Sequence, residues 1–133
     1  MRYCCDTWFL LSLFNEDPKS VQILEDTKKG KAFLIIPMVV FAEASKKLMQ
    51  KGVPQSTIDL FWSGVESSQK VALIPMDRSI GKEAAKISLS FNVPLIDSFV
   101  AATSKMTDCH FLLASDSDYG LLVKKRYLKV QSW

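Results

Sequence analysis

Five carboxylates in this chain are spaced so that they could act together: Asp6, Glu43, Asp97, Asp116 and Asp118. Each follows or faces the carboxyl end of a short apolar run. The clearest case is Phe111-Leu112-Leu113-Ala114, an unbroken apolar stretch that leads through Ser115 into Asp116 and Asp118. Apolar residues without alternation suit a strand covered on both faces, as inside a parallel sheet. In open α/β sheets the binding crevice lies outside the carboxyl ends of such strands. Like charges gathered there repel, and the cluster is tolerable only if some groups protonate or a cation neutralises them. Oxygen-only ligands suit hard ions, Mg²⁺ or Mn²⁺. One or two such ions can activate a water and stabilise the leaving oxygen of a phosphodiester without a covalent enzyme intermediate.

Taken singly, each acid has a structural reading. Asp6 can cap the helix that follows it. Glu43 can pair with Lys47 four residues on. Asp97 suits the first turn of a helix for its dipole. The functional case is joint: separate segments bring acids to one edge.

The elements that must position them follow from the apolar pattern. Strands are expected near 2–5, 32–36, 71–74, 111–114 and 127–130, separated mostly by helices. This predicts a three-layer α/β/α sandwich with a mostly parallel central sheet of about five strands. Helices are expected at Trp8–Phe14, at Lys19–Lys29 behind Pro18, from an opening Pro37 onward, at Gln55–Ser68, from Ile80 to Phe91, and at Pro94–Lys105. Gly30 stops the second of these, and Asp77 reads as a cap. Ile58, Phe61, Trp62 and Val65 lie at helical spacing as core or subunit contact, a surface on which a homodimer could form.

The chain has 133 residues, 48% hydrophobic and 23% charged, which fits one domain spanning 1–133 with a single core. No repeat or low-complexity tract is present. The apolar run Ala32–Ala42 is too short to span a bilayer and is broken by Pro37, and Asp6 interrupts the apolar opening, so no signal peptide is read. A soluble cytoplasmic protein without a membrane partner is expected. Three cysteines and one histidine supply neither a disulfide framework nor a thiolate metal site. His110 beside Cys109 reads as structural. The net charge of +3 permits a polyanionic partner, and Lys124-Lys125-Arg126 is either a solvated face or a phosphate contact. Five glycines form no phosphate-cradling loop. A phosphoacceptor receiver would want paired acids after the first strand, where Cys5-Asp6-Thr7 has one.

Four stretches resemble the acidic motifs of the PIN domain: Tyr3-Cys4-Cys5-Asp6-Thr7; Phe41-Ala42-Glu43; Pro94-Leu95-Ile96-Asp97-Ser98-Phe99-Val100-Ala101-Ala102-Thr103; and Leu113-Ala114-Ser115-Asp116-Ser117-Asp118-Tyr119. In order and spacing the set is most similar to the small VapC-type toxin ribonucleases. The resemblance implies a Mg²⁺- or Mn²⁺-dependent endoribonuclease acting on RNA, a homodimer, and an inhibitory antitoxin as partner. It further implies that Asp6, Asp97 and Asp116 ligate metal, that Glu43 ligates through water or orients it, and that Asp118 completes a second, weaker site. The chain departs from the pattern at Trp8, where a small polar residue is common, and at Ala114, where a threonine hydroxyl is common and Ser115 offers one a position later. These departures bear on how the carboxylates are oriented. They also define the alternative, a catalytically silent PIN-like module that binds RNA or protein.

Overall fold

A computed structural model describes residues 1–115 and 118–133. Among them the strands are β1 (Arg2–Cys5), β2 (Phe33–Pro37), β3 (Val71–Ile74), β4 (Phe111–Leu113) and β5 (Val130–Gln131). The helices are α1 (Thr7–Phe14), α2 (Pro18–Lys28), α3 (Met38–Gln50), α4 (Gln55–Val65), α5 (Arg78–Phe91), α6 (Leu95–Met106) and α7 (Gly120–Lys124). The sheet runs β3-β2-β1-β4-β5, and every pairing is parallel. The expected α/β/α sandwich is what the chain forms.

The central strands carry the continuous apolar runs because both of their faces are covered. Cys4, Cys5, Leu34, Ile36, Leu112 and Leu113 are fully buried. Helix starts are set by acids: the carboxylates of Asp6, Asp17 and Asp77 accept from the backbone N–H groups of Thr7, Ser20 and Ile80. Each satisfies a donor that the first helical turn cannot use. Gly30, at φ +76°, follows the end of α2, a conformation that glycine adopts without steric cost.

Four local expectations need correction. Pro37 closes β2 and caps α3 instead of opening the helix; its fixed φ suits both the strand end and the extended cap. The helix expected to reach Ser68 ends at Val65. The edge strand expected over Tyr127–Val130 is the shorter Val130–Gln131, whose partners are Leu112 and Leu113. The stripe on α4 is core rather than a free surface for a second subunit: Ile58 and Trp62 are buried, the Trp62 indole N–H donates to Ser45 Oγ at 3.0 Å, and Phe61 packs edge-on against Phe14 and Trp62. The cysteines behave as expected, all free, with Cys4 and Cys5 buried. His110 is structural, its Nδ1 accepting the Arg2 backbone N–H at 2.9 Å. Among the described residues no single helix is long and apolar enough to cross a membrane.

Candidate functional site

Sheet order decides where a site can form. The chain passes from β1 outward to β2 and β3, then returns to lay β4 on the other side of β1. Connections diverge between β1 and β4, so their carboxyl ends border a crevice. Asp6 sits on that border, its backbone N–H donating to Leu113 O at 3.0 Å, which ties the end of β1 to the end of β4.

Three more acids are within electrostatic reach. Asp97 lies in the first turn of α6, Glu43 on α3 and Asp118 ahead of α7. The Asp6 carboxyl is 7% exposed. Burial pushes its pKa up to about 6, opposed by the Thr7 N–H and the Tyr119 hydroxyl and reinforced by the charges of Asp97 and Asp118. Asp97 is raised too, by burial first and then by Asp118 and Glu43. Asp6, Glu43, Asp97 and Asp118 are thus linked pairwise in one repulsive field. Asp116 lies outside the described residues.

Among the described residues no ion pair relieves this field. Among the described residues the salt bridge is Lys28–Glu25 at 4.0 Å, on the surface of α2. The Glu43–Lys47 pair considered from spacing does not form there. Instead Glu43 Oε1 accepts a 2.6 Å hydrogen bond from the Thr7 hydroxyl. Thr7 is 4% exposed and follows Asp6 directly, so one turn of chain fixes two carboxylates at once.

Tyr119 is the second residue that spacing alone did not single out. Tyr119 is 1% exposed, and among the described residues its hydroxyl completes no hydrogen bond of ordinary geometry. Yet the hydroxyl lies near enough to Asp6 to lower that carboxyl's pKa. Burial, then the charges of Asp6 and Asp97, hold the phenol firmly protonated. A buried unpaired hydroxyl is costly, and this one is a donor facing an acidic crevice.

The departures at Trp8 and Ala114 have local causes. Trp8 packs on Trp133, ring centroids 5.2 Å apart, and the Trp133 indole N–H donates to Asp17 Oδ2 at 2.7 Å. An aromatic at position 8 therefore anchors the end of the chain. Ala114 is fully buried, and its N–H donates to Gln131 O at 3.3 Å.

The donor set suits a hard divalent ion: carboxylate oxygens from several segments, without compensating cations, beside an orphaned phenol. Among the described residues no group of three or more His, Cys, Asp or Glu side chains is placed to hold a metal ion. Mg²⁺ commonly takes one or two carboxylates and keeps its waters.

Comparison with known proteins agrees with this topology. The PIN domain family model matches residues 3–124. No curated protein matches in sequence. Among solved structures, the chain is similar to VapBC2 from Rickettsia felis, bound to a DNA fragment from its promoter. The TM-score is 0.75 at 16% identity, covering 100% of this chain and 99% of that one. It is also similar to Mycobacterium tuberculosis VapC20, a sarcin-ricin loop cleaving toxin, with TM-score 0.67, 14% identity and 89% and 92% coverage. VapBC-1 from nontypeable Haemophilus influenzae gives 0.66 at 15% identity, with 100% and 98% covered. A family model spanning most of the chain, on a parallel sheet whose switch point gathers the acids, settles the family: the chain belongs to the PIN domain family.

Proposed function

We propose that this PIN domain is a divalent-metal-dependent endoribonuclease, the toxin of a toxin–antitoxin pair. The observation that carries the reading is the uncompensated field shared by Asp6, Glu43, Asp97 and Asp118. Membership in the PIN family and the likeness in fold to a sarcin-ricin loop cleaving toxin and to a toxin-antitoxin complex from Klebsiella pneumoniae support it. An antitoxin and a second copy of the chain are the proposed protein partners.

Asp6, Asp97 and Asp116 would hold Mg²⁺ or Mn²⁺, with Asp118 serving a second ion. The ion supplies charge neutralisation and Lewis acidity toward the scissile phosphate. The chain's own residues do the rest. Thr7 occupies Glu43 Oε1, which leaves Oε2 to accept a hydrogen bond from a water and orient it. The Tyr119 hydroxyl, held protonated, remains a donor toward Asp6 and keeps that carboxylate aimed into the crevice.

The test is direct. The purified chain should cleave single-stranded RNA when Mg²⁺ or Mn²⁺ is supplied and stop when a chelator removes it. RNA left intact under every metal condition would give the silent PIN-like module precedence. The Thr7–Glu43 bond predicts a smaller effect. Thr7→Val, which keeps the shape and deletes the hydroxyl, should slow cleavage about tenfold, the worth of a hydrogen bond to a charged group. Its unfolding midpoint should move little. An unchanged rate would remove Thr7 from the positioning of Glu43.

A further inference from the structure

At the opposite end of the sheet lies a cavity of about 690 Å³. It is bounded by the residues that lead into β4 and by the segment that joins α7 to β5. Two helices end there. α6 closes into Asp108 at φ +55° and α7 into Arg126 at φ +60°, each sealed by a backbone bond: Cys109 N–H to Ser104 O at 3.0 Å, and Tyr127 N–H to Leu122 O at 2.9 Å. α6 carries Asp97 in its first turn and Lys105 in its last, about 12 Å apart along the axis. The cavity is therefore separate from the acidic crevice.

Its chemistry is the reverse of the crevice's. Lys105, Arg126 and Lys129 line it against a single acid, Asp108. The two helix ends add about half a negative charge each, which still leaves the lining positive. Lys124 and Lys125 stand exposed beside it. Arg126 and Lys129 enter no ion pair or side-chain hydrogen bond among the described residues. Lys105 bridges the walls, its Nζ donating to Tyr127 O at 3.3 Å above the Tyr127 ring, and keeps further N–H donors free. The same lining includes the apolar side chains of Phe111, Val123 and Leu128. Cations and apolar side chains together, in a volume typical of small-ligand sites, suit a phosphate attached to a flat ring.

We propose that this cavity binds a nucleotide, its phosphate at Arg126, Lys129 and Lys105 and its base against Phe111 and Leu128. The nucleotide is either free in solution or one unit of an RNA strand that extends past the crevice. The site does not depend on catalysis or on a metal ion.

Cys109 lines the same cavity and reports on it. Cys4 and Cys5 are fully buried, whereas Cys109 is partly exposed, with a thiol pKa lowered to about 7, first by its contact with Cys4. Alkylation of Cys109 by iodoacetamide is followed by mass spectrometry in chelator, at neutral pH. Adenosine 5′-monophosphate or a short single-stranded RNA, at several times its Kd, should slow the reaction about fivefold. Protection should vanish in Arg126→Asn/Lys129→Gln, in which Asn tolerates the left-handed backbone. Protection by both ligands assigns a site open to free nucleotides, and protection by RNA alone assigns it to the strand. Equal protection by inorganic phosphate would overturn the nucleotide assignment, and no protection by any of them would overturn the site. Because the assay contains no metal and reads no cleavage, its failure leaves the nuclease reading untouched, and loss of cleavage leaves this one.

Discussion

Asp6→Asn should lower RNA cleavage about a thousandfold, the equivalent of several kcal/mol of lost charge stabilisation at the scissile phosphate, while making the metal-free protein more stable. The two effects have one cause. Asn keeps the carbonyl oxygen that accepts the Thr7 N–H at 2.8 Å, so the start of α1 stays capped. What it removes is a buried negative charge facing Asp97 and Asp118. The sign of the stability change follows from the direction of the pKa shift. Folding raises the Asp6 carboxyl from 3.8 to about 6, so the native state binds this proton more tightly than the unfolded chain does. Stability from this group is present in acid and is lost as pH rises through that window. Once Asp6 ionises, the cost is on the order of 3 kcal/mol. Urea unfolding of the metal-free wild type should show stability falling between about pH 4 and 6, with Asp97 adding in the same direction. In Asp6→Asn most of that fall should disappear. A variant that is less stable than wild type at neutral pH, or that still cleaves at the wild-type rate, would contradict the assignment.

Metal should reverse the penalty in the wild type. A divalent ion at a hundred times its Kd stabilises the native state by about 2.7 kcal/mol, so Mn²⁺ should raise the unfolding midpoint by several degrees at neutral pH. Protons compete for the same oxygens, and the gain should fade as pH drops below about 6, where Asp6 protonates. Asp97→Asn and Asp6→Asn should each lose most of the shift.

How much of this was legible in the sequence depends on the range of the interaction involved. The strands that position the site announced themselves because β1, β2 and β4 are buried on both faces and therefore lack alternation. The cap at Asp77 was readable for a similar reason: a carboxylate, a helix start and a donor lie within three residues. That Asp97 lies within electrostatic reach of Asp6 and of Glu43 was legible from where the three sit relative to strand ends. What holds them was not. Thr7 and Glu43 are separated by 36 residues, and a threonine after a capping acid reads simply as the first residue of a helix. Tyr119 reads as a loop aromatic, and nothing local tells that its hydroxyl is buried beside Asp6. The Trp8 departure was interpreted against the site, whereas its partner, Trp133, lies at the far end of the chain and is itself held by Asp17 across 116 residues. The α4 stripe was legible only in part. An apolar face at helical spacing shows that something covers it, but not whether the cover is the chain's own core or another subunit.

The central claim is that these acids share a divalent ion. Calorimetric titration of Mn²⁺ into the wild type and into Asp97→Asn, near the Asp6 pKa of about 6 and in two buffers of different ionisation heat, tests it most directly. The account predicts saturable binding by the wild type, with a heat that depends on the buffer because protons leave the carboxyls as the ion enters, and binding at least about tenfold weaker in the variant. No saturable heat in the wild type, or equal affinity in the two proteins, would contradict it.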